Sequence, residues 1–177
     1  MGSAYIPKDV FSFSSVIYHE GVYRDKAVSG LESAFGDIAY TSPQIRFNYT
    51  PYYKDEMGTP LYRIIIAFDR LIPRDSLSDI KTITNTMETS LSVHGRRCIN
   101  IDPGLISLEN ICLATTKPYS HRIYLKDGIW AEVTLMYKGG TYYKLDWTYP
   151  DYASEEMIGI FNHLRTIYKD KITCQKV

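Results

Sequence analysis

From Phe11 to Tyr18 aromatic and β-branched side chains crowd together, with Phe11 and Phe13 on one side of a two-residue period, which predicts a strand. Ala27, Val28, Leu31, Ala34 and Phe35 then recur at helical spacing after Asp25, an N-cap residue type, and Gly36 stands where such a helix stops. Ile38 to Tyr49 returns to strand character, with Ile45, Phe47 and Tyr49 alternating against Gln44, Arg46 and Asn48. Leu61 to Phe68 is almost continuously apolar, the pattern of a central strand. A second helical stripe follows in Leu77, Ile80, Ile83, Met87 and Leu91, with Ser76 and Asp79 at capping-box spacing and Gly95 beyond its end. Arg97 to Asp102 reads as a short strand that Pro103-Gly104 turns sharply.

That order is β-α-β-β-α-β, and it predicts an α+β fold with a ferredoxin-like core. The remainder predicts an extension: a short helical piece over Ser107 to Thr115, a C-terminal antiparallel β-meander, and a final helix. Asp127-Gly128 and Gly139-Gly140 mark the two hairpin turns of the meander. After Ser154, the residues Met157, Ile160, Phe161, Leu164, Ile167 and Tyr168 form the buried stripe of the last helix. With no internal repeat and no linker, residues 1–177 read as a single domain.

A two-residue hairpin loop fixes which residues face each other, so the turns carry a register. Pairing Lys126 with Ile129 sets Ile123 against Glu132 and His121 against Thr134. Pairing Lys138 with Thr141 sets Glu132 against Trp147. Ile129, Ala131, Val133, Leu135 and Tyr137 then form a core face, while His121, Glu132, Thr134, Trp130 and Trp147 share the opposite one. On this register Arg122 lies on the core side, away from His121. An acid, an imidazole and two indoles make a pocket floor; partly exposed sheet residues that simply hydrogen-bond to one another would show the same pattern.

Charge narrows the classes of partner. Twenty Lys and Arg balance 20 Asp and Glu, which removes the broad basic footprint of a nonspecific nucleic-acid or membrane-surface binder. No apolar run approaches the length of a membrane span, and the first ten residues lack a signal-peptide core. Cys98, Cys112 and Cys174 form no CxxC pair, so a reducing cytoplasm is the simpler location. The distinctive number is 16 tyrosines, nine of which fall in the three segments Tyr49 to Tyr53, Tyr119 to Tyr124 and Tyr142 to Tyr152.

The candidate chemistry gathers near these segments. Asp102 at a strand end, His121 and Glu132 form a candidate general acid–base set, since a histidine near neutral pKa exchanges protons while a carboxylate orients it. The same three are a weak ligand set for a divalent metal, without HxxxH or HExxH spacing to support it. An Asx turn in which Asp102 caps the next segment is the competing reading. Thr134 lies on the same face. Lys117 and Arg122 follow Thr115 and Thr116 and suit a phosphate or carboxylate. Tyr52, Tyr53 and Glu56 in one loop, and Trp147, Tyr149 and Asp151 in another, put rigid aromatics beside carboxylates. There is no phosphate-binding loop, no GxGxxG and no nucleophile elbow, so the usual nucleotide fingerprints are absent and any cofactor is unknown.

Tyr49-Thr50, Tyr52-Tyr53 and Glu56-Met57-Gly58, then Asn100 to Gly104, Leu113 to Lys117, His121 to Leu125, Asp127 to Leu135 and Trp147 to Tyr152 occur in order. Together they resemble the bacterial domain-of-unknown-function family 4416, from the first strand to about Tyr152. The resemblance implies membership and no activity. Two functions stay open: a small-molecule pocket, enzymatic or not, and a non-catalytic interaction or assembly module using tyrosine-rich loops. Single-stranded nucleic acid is the less favoured partner of the second.

Overall fold

The computed structural model describes residues 2–174. Strand β1 (Val10–Tyr18) is buried along its whole length, being paired on both edges and covered on both faces. Its edges carry β4 (Leu61–Ile72) and β5 (Ile99–Ile106), both antiparallel. Strands β2 (Ile38–Thr41) and β3 (Ile45–Phe47) lie end to end along the outer edge of β4. Beyond β5 come β6 (Asn110–Thr115) and then β8 (Ile129–Lys138), whose far edge is shared by β7 (Arg122–Lys126) and β9 (Thr141–Lys144). The described residues therefore form one antiparallel sheet of nine strands.

Helices α1 (Gly21–Phe35) and α3 (Leu77–Ser90) cover one face, and α4 (Glu155–Cys174) covers the other. On the α1 side Val16, Tyr18, Ile64, Ile66 and Ile101 meet Ala27 and Leu31. On the α4 side Phe13, Ile65, Ile106 and Leu135 meet Met157, Phe161 and Leu164. A single helical turn, α2 (Lys54–Met57), sits in the loop before β4. None of the described helices is long and apolar enough to cross a membrane.

Five expectations change. The strand expected over Ile38 to Tyr49 is broken at Ser42-Pro43-Gln44, because Pro43 has no N–H and the Ser42 hydroxyl takes over as acceptor for the Ile65 N–H at 2.9 Å. Ser107 to Thr115 is not helical: the Ser107 hydroxyl accepts the Glu109 and Asn110 N–H groups in a tight turn, and β6 follows with Ile111 and Leu113 on one face and Cys112 and Ala114 on the other. Pro103 and Gly104 do not end a strand but lie inside β5. Gly104 is required there, since a Cβ would stand 2.5 Å from the Phe13 ring and 2.7 Å from the Cys112 carbonyl oxygen. The extension is not a simple meander, because β7 and β9 pair with the same edge of β8 and β6 occupies the other. Finally, Ile83 of the predicted stripe is 40% exposed, and α3 buries Lys81, Thr84 and Glu88 instead.

Candidate functional site

The ladder between β5 and β6 covers only Gly104 to Ile106, opposite Leu113 to Ile111, and ends where Pro103 stands without an N–H to offer. Upstream of that point β5 stays with β1 and the other end of β6 stays with β8, so the sheet opens between them. The open edge is not left bare. The Ile101 N–H donates to Glu88 at 2.5 Å, and the Ile101 carbonyl accepts from the Lys81 ammonium at 2.9 Å. Two side chains of α3 thus serve as the strand partner that β6 does not supply. A cavity of about 390 Å³ fills the opening, with Lys81, Asn85 and Glu88 on the α3 side and Phe47, Tyr53 and Tyr152 on the other.

Buried charge around this cavity is held in pairs. Arg63 and Asp151 meet at 2.5 Å, both nearly inaccessible, with the guanidinium between the Phe47 and Tyr152 rings at 4.7 and 5.0 Å. Asp102 is held by Lys81 at 3.4 Å and by the Asn100 amide at 2.8 Å. Glu132 accepts from Arg122 Nε at 2.8 Å and lies 3.0 Å from His121 Nε2. Arg122 also donates to the Lys117 carbonyl at 2.8 Å and to the Tyr149 hydroxyl at 3.1 Å. Such pairs tolerate burial because each charge keeps a partner. Arg63 and Tyr152 line the cavity, but the Arg63 Nε and the Tyr152 hydroxyl are themselves buried: the Nε has no hydrogen-bond partner among the described residues, and the hydroxyl stands beside the equally buried Ser15 hydroxyl.

Burial raises Glu88 from the ordinary carboxylate range to about 7, against the opposing pull of Lys81. A carboxyl whose native pKa lies above its unfolded value binds its proton more tightly when folded. The native state therefore loses stability as pH rises from about 4.5 to about 7, by about 3 kcal/mol if Glu88 acts alone. Urea titrations between pH 5 and 8 should show that fall, and Glu88→Gln should flatten it; an unchanged slope in the variant would place the proton elsewhere.

The hairpin register differs from the expected one by a single residue. Lys126 pairs with Ile129, but Leu125 is bulged, so Tyr124 faces Trp130, Ile123 faces Ala131 and Arg122 faces Glu132. Arg122 is consequently Glu132's cross-strand partner and not a residue of the opposite face. A second irregularity leaves Thr134 of β8 without a β6 partner. It divides the expected core face: Ile129 and Ala131 pack on the α3 side, Leu135 and Tyr137 on the α4 side. The second hairpin ladder stops at Leu135 opposite Lys144, so Trp147 does not pair with Glu132. It stacks on His121 at 5.1 Å instead, and Tyr119 lies against the other face of the imidazole at 5.9 Å.

Of the residues singled out from the sequence, Asp102 and Glu132 line the cavity, as do Tyr52, Tyr53, Lys117 and Arg122. Tyr149 and Asp151 complete that group. His121, Thr134 and Trp147 lie outside the lining, and Glu56 lines a separate recess, 2.5 Å from Arg97. Asp102 and His121 do not touch; each has other partners. Among the described residues no three His, Cys, Asp or Glu side chains converge as metal ligands. Arg63, Lys81, Glu88 and Arg97 also line the cavity and carry no motif that marks them as site residues. Lys81, Thr84 and Glu88 recur at helical spacing beside the apolar stripe, and that polar row is the available signal.

Comparison with known proteins adds one result. The family model of a domain of unknown function, DUF4416, matches residues 8–168. The chain belongs to the DUF4416 family. The match reaches well into α4, further than the motif segments alone extend, so this helix is part of the DUF4416 domain. No curated protein and no solved structure matches this DUF4416 chain.

Proposed function

We propose that this DUF4416 protein binds a small polar molecule in the opening between β5 and β6. The observation that carries the reading is the cavity of about 390 Å³ itself, where the fold gathers Arg63, Lys81, Glu88, Asp102 and Asp151 with the Phe47, Tyr53 and Tyr152 rings. A concave site with an aromatic wall and a few convergent charged groups is the arrangement that takes a small polar molecule. Asp102 supports acid–base chemistry on that molecule, because it faces the cavity half-buried beside Lys81. Glu88 adds a second carboxyl that holds a proton near neutrality. His121 enters this reading only through Glu132. The scaffold is best read as ferredoxin-like: the antiparallel order β2-β4-β1-β5, with α1 and α3 on one face, supports that assignment. Three free thiols support a reducing, cytoplasmic location.

Thermal-shift screening against carboxylic acids, sugar phosphates, nucleotides and amino acids tests the binding site. At least one compound should raise the midpoint of the wild type, and Asn85→Trp, which fills the cavity from the α3 side, should remove that rise. A compound that stabilises both proteins equally would not occupy this cavity. An assembly role is the second reading. It rests on Ile123, Tyr124 and Leu125, which stand 69%, 54% and 38% exposed on β7, and a dimer abolished by Ile123→Lys would carry it.

A further inference from the structure

We propose that Lys117, Arg97 and the Tyr52 hydroxyl form a subsite for the oxyanion of a small-molecule ligand, a phosphomonoester or a carboxylate, at the mouth of the cavity. The proposal rests on the reading of the cavity as a small-molecule site and names the chemistry of the ligand's charged end.

Lys117 differs from the other cations around the cavity. Arg63, Lys81 and Arg122 each have a carboxylate within 3.4 Å, whereas Lys117 has none among the described residues. Its ammonium lies 4.7 Å over the Tyr52 ring, close to the Tyr52 hydroxyl, and no carboxylate accepts from its donors among the described residues. The root of the side chain is nonetheless fixed. The Lys117 carbonyl accepts from Arg122 at 2.8 Å, and its N–H donates to the Thr115 hydroxyl at 3.2 Å. A buried pair, Arg122 with Glu132, therefore positions a free cation at the rim.

Arg97 approaches the same tyrosine, its guanidinium 5.7 Å from the Tyr52 centroid. Its guanidinium is half-buried and donates to Glu56 from Nε at 2.9 Å and to the Asn100 amide oxygen at 3.3 Å; Glu56 is the exposed member of the pair, on the loop turn α2, and a ligand oxyanion competes with it for the fork. Arg97 and Lys117 against Glu56 leave one unbalanced positive charge at the mouth, in a chain whose total is zero. The Tyr52 phenol registers that field: its pKa is lowered, first by Arg97 and then by Lys117. A guanidinium fork, an ammonium and a phenol at one rim offer the donors that phosphate or carboxylate oxygens take. Tyr53 beside them provides an aromatic wall for the uncharged part.

The test uses phenyl phosphate, benzoate and benzyl alcohol as probes, titrated at low ionic strength by calorimetry into the full chain. Phenyl phosphate, benzoate or both should bind, and benzyl alcohol should bind at least about tenfold more weakly. Lys117→Ala should weaken the oxyanion probe about tenfold, Lys117→Arg should retain most of its affinity, and Tyr52→Phe should weaken it by a smaller factor. Both residues are exposed, so the variants are expected to fold as the wild type does. Which of the two oxyanion probes binds more tightly separates a phosphate head from a carboxylate head. Equal binding of all three probes, equal affinity in Lys117→Ala, or no binding of either oxyanion overturns the proposal. Binding of benzyl alcohol that Asn85→Trp abolishes and Lys117→Ala does not would leave the cavity reading standing without the oxyanion subsite. Oxyanion binding that responds to Lys117→Ala but not to Asn85→Trp would do the reverse.

Discussion

Glu132→Ala is expected to lower the unfolding free energy by about 3–5 kcal/mol, read from urea or thermal denaturation. Glu132 and Arg122 are almost inaccessible, with side-chain exposures of 2% and 3%, so removing the carboxylate leaves a buried guanidinium without its counter-charge. Arg122 would keep its bonds to the Lys117 carbonyl and the Tyr149 hydroxyl, but both are neutral acceptors. Replacing the pair together, Glu132→Leu with Arg122→Met, should recover most of the loss, because the unpaired charge is gone. His121→Ala should cost far less, since that side chain is 20% exposed and touches the carboxylate from one side. If Glu132→Ala were nearly neutral in stability while abolishing a ligand's effect, Glu132 would be a working carboxylate and not the anchor of Arg122.

Phe161→Ala should cost a similar amount, about 3–5 kcal/mol, and should also reach the cavity. Phe161 of α4 is fully buried, packs edge-on against Phe13 at 5.1 Å and lies parallel to Tyr152 at 6.0 Å. Tyr152 in turn forms one side of the aromatic slot around Arg63. Loss of the Phe161 ring removes the packing behind Tyr152, so a probe that binds the wild-type cavity should bind the variant more weakly at temperatures where both remain folded. Thermal denaturation gives the first effect and calorimetry the second. A variant that loses stability but keeps full affinity would show that α4 supports the sheet without shaping the site.

The two substitutions also separate what patterning reveals from what it conceals. Phe161 was legible in the sequence: helical spacing of Met157, Phe161, Leu164 and Tyr168 marks a buried stripe, and these residues are buried. The alternation of serine and apolar residues in β1 and the apolar run of β4 likewise announce strands, because sheet periodicity is a local property of the chain. Both two-residue turns are where their glycines and Asp127 require positive φ. Glu132 was legible as a candidate, and its contact with His121 follows from their place around one turn.

Arg122 sits on the other face from the one its two-residue period predicts, for a physical reason. One bulged residue, Leu125, reverses which side of the sheet every residue before it faces, and a bulge leaves no mark in a period-two pattern. The helical reading of Ser107 to Thr115 failed in a related way. The Ser107 turn, with one hydroxyl accepting two N–H groups, is a hydrogen-bond arrangement and not a periodicity.

The opening between β5 and β6 belongs wholly to the tertiary structure. It depends on Lys81 and Glu88 reaching from α3 to the main chain of Ile101, about 13 to 20 residues away along the sequence. It depends equally on Arg63 of β4 meeting Asp151 before α4. Local pattern determined α1, α3 and α4, strands β1 and β4, both hairpin turns and most of the apolar residues these bury, because those follow from spacing within one element. Which charges share a cavity was decided only by the fold, because a pairing between distant segments is set by register and crossover and not by neighbours in the chain.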